Sequence, residues 1–522
     1  MNTEATMTGV LPESAEAKKT FAVCFAALVA TSFCFILRAF SIDAWGVEFA
    51  LTKQQLGELN GVGLWPFAIS IVLLSLIVDR VGFKALLWFA AFCHIAGLVL
   101  ILQADGYWSL YWGTFVLSLG NGAVEAGINP LVATQFRHDK VTWLNRLHAG
   151  WPAGFVLGGL LALALPGDMS WRMKMMLILI PVITYSVMLL ARRFPQSERV
   201  SAGVSYRDML AEAGWVSALV VASLIVLEMG RVVAVWMGIE GDPSVTFRIV
   251  QIAIILAITA AYAYWARSPG RPFFILMILV MIPLATTELG TDGWISSMMA
   301  PAMSTIGLSG GWVLIYTMSL VLVLRLFAGP IVHKFSPVGL LAISAVIAAI
   351  GLVWLSASTG IALLAAATFY GIGKAFFWPT SLGVVAEQSP RGGAITLNVV
   401  AGVGMLGVGI VGSVLIGAIQ DGHMKSGLAD YDKSNGTTLE STLVTKPNTS
   451  VFGSYLALDS DKVAGSAPDI QAVVKKVDVD SKLDALRTVA VLPLIMFLCY
   501  LGMILYFRGR GGYKPVVLEY KK

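Results

Sequence analysis

Residues 120–130 of this chain read GNGAVEAGINP, and residues 371–379 read GIGKAFFWP. With the second stretch set 249 positions after residues 122–130, a glycine, an alanine and a proline coincide, and Glu125 coincides with Lys374. Each stretch lies in a run of apolar residues long enough to cross a membrane as a helix. The two halves of the chain are therefore predicted to repeat each other.

Three further pairs of short motifs support this repeat. They are Asp43-Ala-Trp45 with Asp292-Gly-Trp294, Leu144-Asn145 with Leu397-Asn398, and Ser75-x-x-x-Asp79-Arg80 with Gly329-x-x-x-His333-Lys334. The first pair has the same spacing of 249 positions, and the other two are shifted by a few residues, as small loop insertions would shift them. Spans that repeat in one orientation predict two bundles with a solute site between them.

The composition indicates a protein whose solvent is lipid. Of 522 residues, 57% are hydrophobic and only 13% are charged, whereas a soluble domain carries about 25% charged residues. The apolar residues are gathered into runs of roughly 20, which is the length that an α-helix needs to cross a bilayer. We therefore expect an all-α membrane protein.

Several function classes are not expected. The sequence has no nucleotide-binding motif, no metal-ligand spacing and no hydrolase elbow. It also has no polybasic tract that would suit nucleic acid. We therefore expect no enzyme activity, no cofactor, no metal site and no nucleic-acid partner.

Hydropathy predicts about fourteen transmembrane helices. They are 21–43, 57–79, 83–104, 107–133, 144–165, 171–192, 214–235, 249–266, 272–293, 308–332, 338–357, 360–386, 394–419 and 487–507. The seventh and eighth form an extra mid-chain hairpin, in which Glu228 and Arg231 lie three residues apart and can neutralise each other. A crossing hairpin is favoured over one that lies in the membrane plane, and both leave the remaining topology unchanged.

The positions of Lys and Arg predict the orientation. If every span crosses, the cationic positions that fall on one side are Arg80, Lys84, Arg137, Lys140, Arg146, Arg192, Arg193, Arg199, Arg267, Arg271, Lys334, Arg391, Arg508 and Arg510. Cytoplasmic loops are the loops enriched in cations. Both termini are therefore predicted to be cytoplasmic, in a plasma or inner membrane.

The predicted domains follow from these spans. They are a cytoplasmic tail at 1–20, an N-terminal six-helix bundle at 21–195, a linker with the extra hairpin at 196–271, a C-terminal six-helix bundle at 272–508 and a cytoplasmic tail at 509–522. A polar insert, 421–486, interrupts the second bundle on the non-cytoplasmic side and could meet an extracytoplasmic partner. Within it, Pro468–Leu486 has the apolar spacing of a short helix.

The loop after the second span carries a signature. Asp79-Arg80-Val-Gly82-Phe-Lys84 resembles the loop signature of the major facilitator superfamily, with Ser75 where glycine is usual. Glycine forms the turn, the cations stay cytoplasmic, and the aspartate can face the N-terminus of a neighbouring helix. The resemblance implies two six-helix bundles related as a parallel repeat, which alternate access to a central site.

A narrower resemblance rests on two spans. The pattern GxGxxExxxNP at 120–130, followed by LNxxH at 144–148, resembles the fucose–galactose–glucose:proton symporter family. His148 stands where that family often has glutamine, and the first span offers Arg38 and Asp43 near the place of its membrane carboxylate. This resemblance implies that a monosaccharide or polyol enters together with a proton.

Six residues are expected to act in gating rather than in solute binding. Asp79, Arg80, Gly82 and Lys84 belong to the loop signature, and Lys334 belongs to its counterpart in the second half. Arg325 lies low in its predicted span and is expected to pair at the inner gate.

Asn121, Glu125 and Asn129 follow one another at intervals of four and predict a polar stripe on the fourth span. Facing lipid, these groups would be costly to desolvate, so they must face the bundle interior. For the two asparagines, hydrogen bonding between helices is as good an interpretation as solute contact. Glu125 is interpreted as functional and as a candidate for proton coupling.

The matching stripe in the second half is Tyr370, Lys374 and Trp378. The hypothesis is that Glu125 and Lys374 lie on opposite walls of one cavity and pair there, or exchange their pairing with the solute. Trp378 and Tyr370 suit a sugar, whose C–H face stacks on a ring, although both rings can equally serve only for packing.

Glu288, Asn145 and His148 complete the predicted site. Glu288 lies deep in its span and is the second candidate for proton coupling, whereas Asp292 lies near the outer end with a gating or solvated role. Asn145 and His148 open the fifth span, and a structural hydrogen bond is slightly favoured over a proton-shuttling role for the histidine.

These features predict a secondary active transporter for a small polar solute, a monosaccharide or polyol carried by proton symport. The alternative within transport is a carrier or exchanger of organic anions or sugar acids, held by Lys374 and Arg38. The alternative from another class is a transporter-like receptor or scaffold, although its many intramembrane charges argue against that role.

Overall fold

The computed structural model describes residues 14–166, 168–239, 244–291, 311–358, 362–450 and 453–518. The predicted motif Asp292-Gly-Trp294 lies outside these ranges. The described chain is mostly helical, with one two-stranded antiparallel sheet. We call the end of the molecule that holds both described chain ends the inner end.

The first half of the chain, here called the N-half, contains ten α-helices in its described part. They are α1 (Ala15–Glu48), α2 (Lys53–Val62), α3 (Trp65–Ser75), α4 (Val78–Val81), α5 (Phe83–Leu102), α6 (Tyr107–Gln135), α7 (Lys140–His148), α8 (Gly150–Ala164), α9 (Trp171–Met175) and α10 (Leu179–Leu190). Ser14, Thr52 and Ser170 cap α1, α2 and α9 by accepting a backbone N–H.

The linker and the second half, here called the C-half, follow. The linker forms α11 (Glu198–Ser201), α12 (Tyr206–Trp236) and α13 (Val245–Ala266). The described helices and strands of the C-half are α14 (Pro272–Ala285), α15 (Gly311–Leu326), α16 (Ala328–Phe335), α17 (Pro337–Ser356), α18 (Ala362–Lys374), α19 (Phe377–Gln388), α20 (Gly393–Gly407), α21 (Ser413–Asn435), α22 (Leu439–Leu443), β1 (Lys446–Ser450), β2 (Gly453–Ala457), α23 (Ser460–Ala464), α24 (Pro468–Val489) and α25 (Val491–Arg508). Two π-helical turns, Thr286–Gly290 and Val408–Gly412, directly follow α14 and α20.

By length and hydropathy, eleven helices of the described chain can cross a membrane, or twelve if the bent pair α15–α16 forms one span. The predicted count of fourteen is not confirmed. The two predicted spans outside this set are α6, which carries Asn121, Glu125 and Asn129, and the broken pair α18–α19. Most residues of these helices are buried, so other helices shield these two spans from lipid.

In each half, a glycine brings the third and fourth spans into close contact. A Cβ at Gly97 of α5 would lie 2.5 Å from the backbone nitrogen of Leu117 in α6. A Cβ at Gly351 of α17 would lie 2.7 Å from the Cα of Tyr370 in α18. The third and fourth spans of each half therefore pack backbone to backbone, as the predicted repeat requires.

The contact between the first and fifth spans is also repeated. A Cβ at Gly154 of α8 would lie 1.7 Å from Ser32 Oγ and 2.7 Å from the carbonyl oxygen of Val29, both in α1. In the C-half, a Cβ at Gly407 of α20 would lie 3.0 Å from Cγ1 of Ile282 in α14. The contact is tighter in the N-half.

Two asparagines join the halves reciprocally. Asn145 of α7 donates from Nδ2 to Thr380 Oγ1 of α19 at 3.1 Å. Asn398 of α20 donates from Nδ2 to the carbonyl oxygen of Ala126 in α6 at 2.9 Å. The fifth span of each half thus reaches the fourth span of the other half, which is the pattern that a two-fold relation between the halves produces.

The extra hairpin is joined to the C-half by two glycines. Gly214 interrupts α12 with a φ of 76°, and Gly270, which precedes α14, has a φ of 97°. Both are left-handed conformations that glycine adopts without strain, and a Cβ at Gly214 would lie 2.0 Å from the Gly270 nitrogen. The predicted neutralisation of Glu228 by Arg231 is confirmed, with an ion pair at 2.6 Å.

The polar insert has its own small core. Its helices α21 and α24 pack against each other, and the buried apolar residues of the core are Met424, Leu428, Leu443, Val444 and Val474. The helix predicted over Pro468–Leu486 is confirmed as α24, which runs on into α25. The two main helices of the insert, α21 and α24, are therefore continuous with helices long and apolar enough to cross a membrane.

Both described chain ends lie at the inner end. Arg192 pairs with Glu16 at 3.4 Å. Lys140 of α7 pairs with the linker residue Glu198 at 2.6 Å and donates to the carbonyl oxygen of Ala386 in α19 at 3.1 Å. The C-terminal tail contacts the end of α19, where the side chain of Gln388 donates to the Lys514 carbonyl oxygen at 2.8 Å.

Candidate functional site

A cavity lies between the two halves. Its lining residues come from both: Phe67, Glu125, His148 and Trp151 from the N-half, and Glu288, Leu289, Arg325, Trp378 and Met405 from the C-half. Four of these side chains can carry a charge, and three are aromatic rings. This central cavity combines polar anchors with apolar walls, as small-molecule sites do.

The N-half wall holds a chain of three hydrogen-bonded side chains. Asn129 donates from Nδ2 to Glu125 Oε2 at 2.7 Å, and its Oδ1 accepts from His148 Nε2 at 3.0 Å. Glu125 and Asn129 lie one turn apart on α6, and His148 is the last residue of α7, within the span that follows α6. His148 is thus hydrogen-bonded to the side chain that bonds Glu125.

The C-half wall holds a buried ion pair. Arg325 Nη2 of α15 lies 2.6 Å from Glu288 Oε1, and the two side chains are 4% and 8% exposed. Glu288 belongs to the π-helical turn after α14, and its Oε2 accepts the backbone N–H of Trp378 at 3.1 Å. A pair this deeply buried is stable only when its remaining hydrogen-bonding groups are satisfied.

Arg325 also connects the two halves. Its Nε donates to the carbonyl oxygen of Ala375 at 2.7 Å, and its Nη1 donates to the carbonyl oxygen of His148 at 3.1 Å. It was expected to pair at the inner gate without contact to solute. The structure places it in the lining of the cavity, because α15 brings this end of the span against α18–α19 and α7.

Lys374 lies beside the cavity and is not among its lining residues. Its Nζ donates to the backbone carbonyl of Glu288 at 3.5 Å and lies 5.5 Å from the centre of the Tyr370 ring. Tyr370 in turn bonds Thr291 at 2.7 Å and the carbonyl oxygen of Thr287. Arg325 pairs with the cavity carboxylate of Glu288, and the carboxylate of Glu125 accepts from Asn129.

Asn121 points away from the cavity. Its Oδ1 accepts from His94 Nε2 at 3.0 Å, and His94 Nδ1 accepts from the Tyr185 hydroxyl at 3.1 Å. Of the predicted stripe, Glu125 faces the solute space, Asn129 supports it, and Asn121 joins α6 to α5. Asn145 likewise serves the contact between the halves rather than the cavity.

The loop signature lies at the inner end, apart from the cavity. Asp79 accepts from Arg199 of the linker at 2.6 Å, and Gly82 has a φ of 82° that ends α4. Lys84 donates to the carbonyl oxygen of Arg192 at 2.9 Å, and Arg80 stacks on Tyr206. Lys334 lies 5.5 Å from the ring of Phe335.

Sequence reasoning missed the part that the linker plays. Arg199 pairs with Asp79, and the aliphatic part of its side chain packs against Gly393 at the start of α20. A Cβ added to Gly393 would lie 3.2 Å from Arg199 Cβ. The neighbouring Glu198 pairs with Lys140. The signal available was the dipeptide Glu198-Arg199 in a short polar linker, which by itself predicts only exposed charges.

The C-terminal tail adds a contact at the inner end. Tyr513 donates its hydroxyl to Glu387 Oε2 at 2.7 Å. Burial, followed by the charge of Glu387, raises the pKa of Tyr513 well above its usual value. The tyrosine therefore remains a hydrogen-bond donor throughout the physiological pH range.

Comparison with solved structures identifies the architecture. A fucose:proton symporter of E. coli matches with a TM-score of 0.56 over 93% of this chain and 99% of that one, at 13% identity. A proton:xylose symporter matches with a TM-score of 0.60 over 93% and 95%, at 14% identity. The chain has the major facilitator fold. A human organic anion transporter shares this fold, with a TM-score of 0.55 over 93% of this chain and 100% of that one, at 11% identity.

Curated relatives match part of the chain. A probable 4-methylmuconolactone transporter of Cupriavidus pinatubonensis is 28% identical over 180 residues, which are 33% of this chain and 41% of that protein. A cis,cis-muconate transport protein of Acinetobacter baylyi is 29% identical over 32% and 40% of the two chains. A gentisate transporter of Corynebacterium glutamicum is 26% identical over 27% and 33%. The chain thus matches about two fifths or less of these relatives, and no family model matches it.

Proposed function

We propose that this protein is a secondary transporter that carries a small organic acid through the central cavity by alternating access. The observation that carries the proposal is the buried guanidinium of Arg325 in the lining of a cavity between two repeated halves. A guanidinium presents paired N–H donors that match a carboxylate. Among the lining residues in the described part of the chain, the other side chains offer no permanent positive charge.

The aromatic walls favour a flat or unsaturated acid. Phe67 and Trp151 from one half and Trp378 from the other surround the charged groups. Their rings can pack against a planar carbon skeleton while Arg325 holds the carboxylate. The names of the three curated relatives denote transport of a lactone acid, a muconate and a gentisate, which are small acids of this shape.

Alternating access would require the contacts between the halves at the inner end to open. Lys140 bonds the Ala386 carbonyl oxygen, and Asn145 bonds Thr380. Both bonds join α7 to α19, so movement of one half against the other would break them together. We propose that the predicted gating residues Asp79 and Arg80 act here through the linker, Asp79 by pairing with Arg199 and Arg80 by stacking on Tyr206.

The orientation is part of the proposal. We place the inner end in the cytoplasm of a cell membrane because its loops hold most of the cations. The two bundles would then be bounded as predicted, at 21–195 and 272–508. The core of the 421–486 insert would lie outside the cytoplasm, where an extracytoplasmic partner could reach it.

Uptake by reconstituted vesicles tests the substrate class. Purified protein is offered labelled cis,cis-muconate, gentisate, fucose and xylose, with and without an inward proton gradient. We expect accumulation of the acids with the gradient and its loss in Arg325→Ala. Arg231→Ala is the matched control, since Arg231 also belongs to a membrane ion pair but lies outside the cavity, and it should transport normally.

A monosaccharide is the second candidate, and the hydrogen-bond chain from His148 through Asn129 to Glu125 favours it. Sugar hydroxyls need both donors and acceptors, and this wall supplies them beside Trp151. Uptake of fucose or xylose without uptake of either acid would support this candidate and overturn the organic-acid proposal.

A further inference from the structure

The extra hairpin meets the N-half at a small cavity, here called the seam cavity. Its volume of about 20 Å³ leaves room for one group the size of a water molecule. Three valines line it together with five larger side chains, which are Glu58, Trp65, Tyr111, Arg231 and Trp236. The first three belong to α2, α3 and α6 of the N-half, and the last two belong to α12. The N-half and the hairpin therefore build the seam cavity together.

The seam cavity lies at the outer end of the molecule, opposite the inner end. α6 reaches the inner end at Thr134, whose hydroxyl accepts the backbone N–H of the linker residue Glu198 at 3.1 Å. Its first turns, which border the seam cavity, therefore lie at the outer end. Beside the cavity, Trp108, Trp112 and Trp236 are 54%, 45% and 47% exposed. Exposed tryptophans at the ends of spans mark the level of the lipid headgroups.

Two carboxylates and one guanidinium stand at the seam cavity. Arg231 Nη2 lies 2.6 Å from Glu228 Oε1, and its Nε donates to Glu228 Oε2 at 3.2 Å, so this pair has no net charge. Within the described ranges, Glu58 accepts from Gln54 Nε2 at 3.0 Å and from the Tyr107 hydroxyl, and no ion pair engages it. The negative charge of Glu58 therefore has no matching cation among the described residues.

The surroundings of Glu58 suit an ammonium group. Trp65, Tyr111 and Trp236 line the same cavity, and aromatic rings attract a cation to their faces, tryptophan most strongly. A primary ammonium is close to a water molecule in size, so it fits the available room. A trimethylammonium group is several times larger and does not fit. The charge and the size of the seam cavity thus favour a primary amine.

Arg231 offers a place for an anion next to this ammonium. Its two bonds to Glu228 use two of its five N–H groups, and 55% of its side chain is exposed. A guanidinium binds phosphate through such groups. The headgroup of an ethanolamine phospholipid carries a primary ammonium two carbon atoms away from its phosphate ester. A purely anionic headgroup would lack the cation that Glu58 needs.

We propose that the seam cavity binds the headgroup of an ethanolamine phospholipid from the outer leaflet, with the ammonium beside Glu58 and the phosphate against Arg231. The lipid then joins the hairpin helix α12 to α2 and α6 of the N-half. The site lies apart from the central cavity. The proposal therefore does not depend on which solute the protein carries, and its readout is bound lipid rather than transport.

Lipid binding to the purified chain in detergent tests the proposal by native mass spectrometry. The probes are phosphatidylethanolamine, phosphatidylcholine and phosphatidylglycerol with identical acyl chains. We expect the ethanolamine lipid to bind about tenfold more tightly than the other two, since it alone places a small cation beside the carboxylate and the rings. Equal binding of all three lipids would mean that only acyl chains are recognised, and would overturn the proposal.

Glu58→Gln locates the preference at the seam cavity, and Glu48→Gln is its matched control. Glu48 is also a carboxylate at the outer end, but it pairs with Arg172 at 2.5 Å away from the seam cavity. Glu58→Gln should lose the preference for the ethanolamine lipid, and Glu48→Gln should keep it. A preference that survives in Glu58→Gln would place the lipid elsewhere and contradict the proposal.

Two further measurements complete the test. Trp236→Leu removes an exposed ring without touching either carboxylate, so it should fold normally and still weaken binding of the ethanolamine lipid. This variant keeps the proposal testable if Glu58→Gln is unstable. Free phosphoethanolamine is added as a competitor, and we expect little displacement because it lacks acyl chains. Displacement at equal concentrations would identify a soluble amine as the ligand and overturn the assignment to lipid.

Discussion

The two walls of the central cavity hold their buried carboxylates in different ways. On the N-half wall, Glu125 is bonded by the neutral amide of Asn129, which His148 supports. On the C-half wall, Glu288 is paired with the cation of Arg325. The halves share helix packing, yet the chemistry of their walls differs. The repeat therefore predicts which helix positions carry polar side chains toward the cavity. It does not predict which side chains they pair with.

The largest effect is expected from breaking the ion pair of the C-half wall. Arg325→Gln leaves Glu288 as a buried charge without its cation, which should cost about 3–5 kcal/mol of stability. Thermal unfolding of the purified protein in detergent measures this loss. Adding Glu288→Gln should recover most of it, because the double variant lacks both charges of the ion pair. A double variant as unstable as the single one would show that the backbone contacts of Arg325 matter more than its charge.

A smaller effect is expected on the N-half wall. Asn129→Ala removes the donor to Glu125 and the acceptor for His148, so two buried groups lose a partner at a cost of about 1–3 kcal/mol. The same unfolding assay applies, and Asn121→Ala is a useful comparison because Asn121 bonds His94 away from the cavity. We expect both variants to be destabilised but only Asn129→Ala to lose transport.

The smallest effects compare the glycine contacts of the two halves. In Gly154→Ala the new methyl group meets the Val29 carbonyl oxygen at 2.7 Å, which is backbone and cannot move aside. In Gly407→Ala it meets only the side chain of Ile282 at 3.0 Å. Overpacking of this kind costs about 1–3 kcal/mol, so Gly154→Ala should fall in that range and Gly407→Ala below it. Equal shifts in unfolding temperature would mean that the halves pack alike.

The helical architecture and the repeat could be predicted because both depend on patterns along the chain. Apolar runs mark most of the spans, and the coincidence of Glu125 with Lys374 marks the two helices at the centre. The number of spans was harder to predict, because α6 carries a polar stripe and α18–α19 is broken. A polar or broken helix is tolerated here because other helices bury it. Such burial depends on tertiary packing, which the sequence pattern does not give.

The polar stripe of α6 shows why a predicted site is only partly correct. Residues spaced by four advance about 40° around a helix with each step, so Asn121 and Asn129 differ by about 80°. That rotation is enough to turn Asn121 toward His94 while Asn129 stays beside the cavity. The spacing identified the helix and its inward side, but the exact neighbour of each side chain required the packed helices.

The partner of Glu288 could not be predicted for a related reason. Symmetry between the halves suggested Lys374 as the important cation, because it occupies the position equivalent to Glu125. Arg325 lies on a different span, whose approach to Glu288 depends on how α15 tilts against α18–α19 and α7. Nothing along the sequence records that tilt.

The two π-helical turns of the C-half face each other just beyond the cavity. Gly412 approaches Thr286 so closely that a Cβ would lie 2.2 Å from its hydroxyl, and Gly290 faces Ile416 of α21. A π-helical turn holds one residue more than the α-helix around it needs. If such a turn reverts to α-helix, that surplus residue must be absorbed further along, and every side chain beyond it swings by about 100°. The carboxylate of Glu288 thus sits on a segment whose register can slip without unwinding the helix.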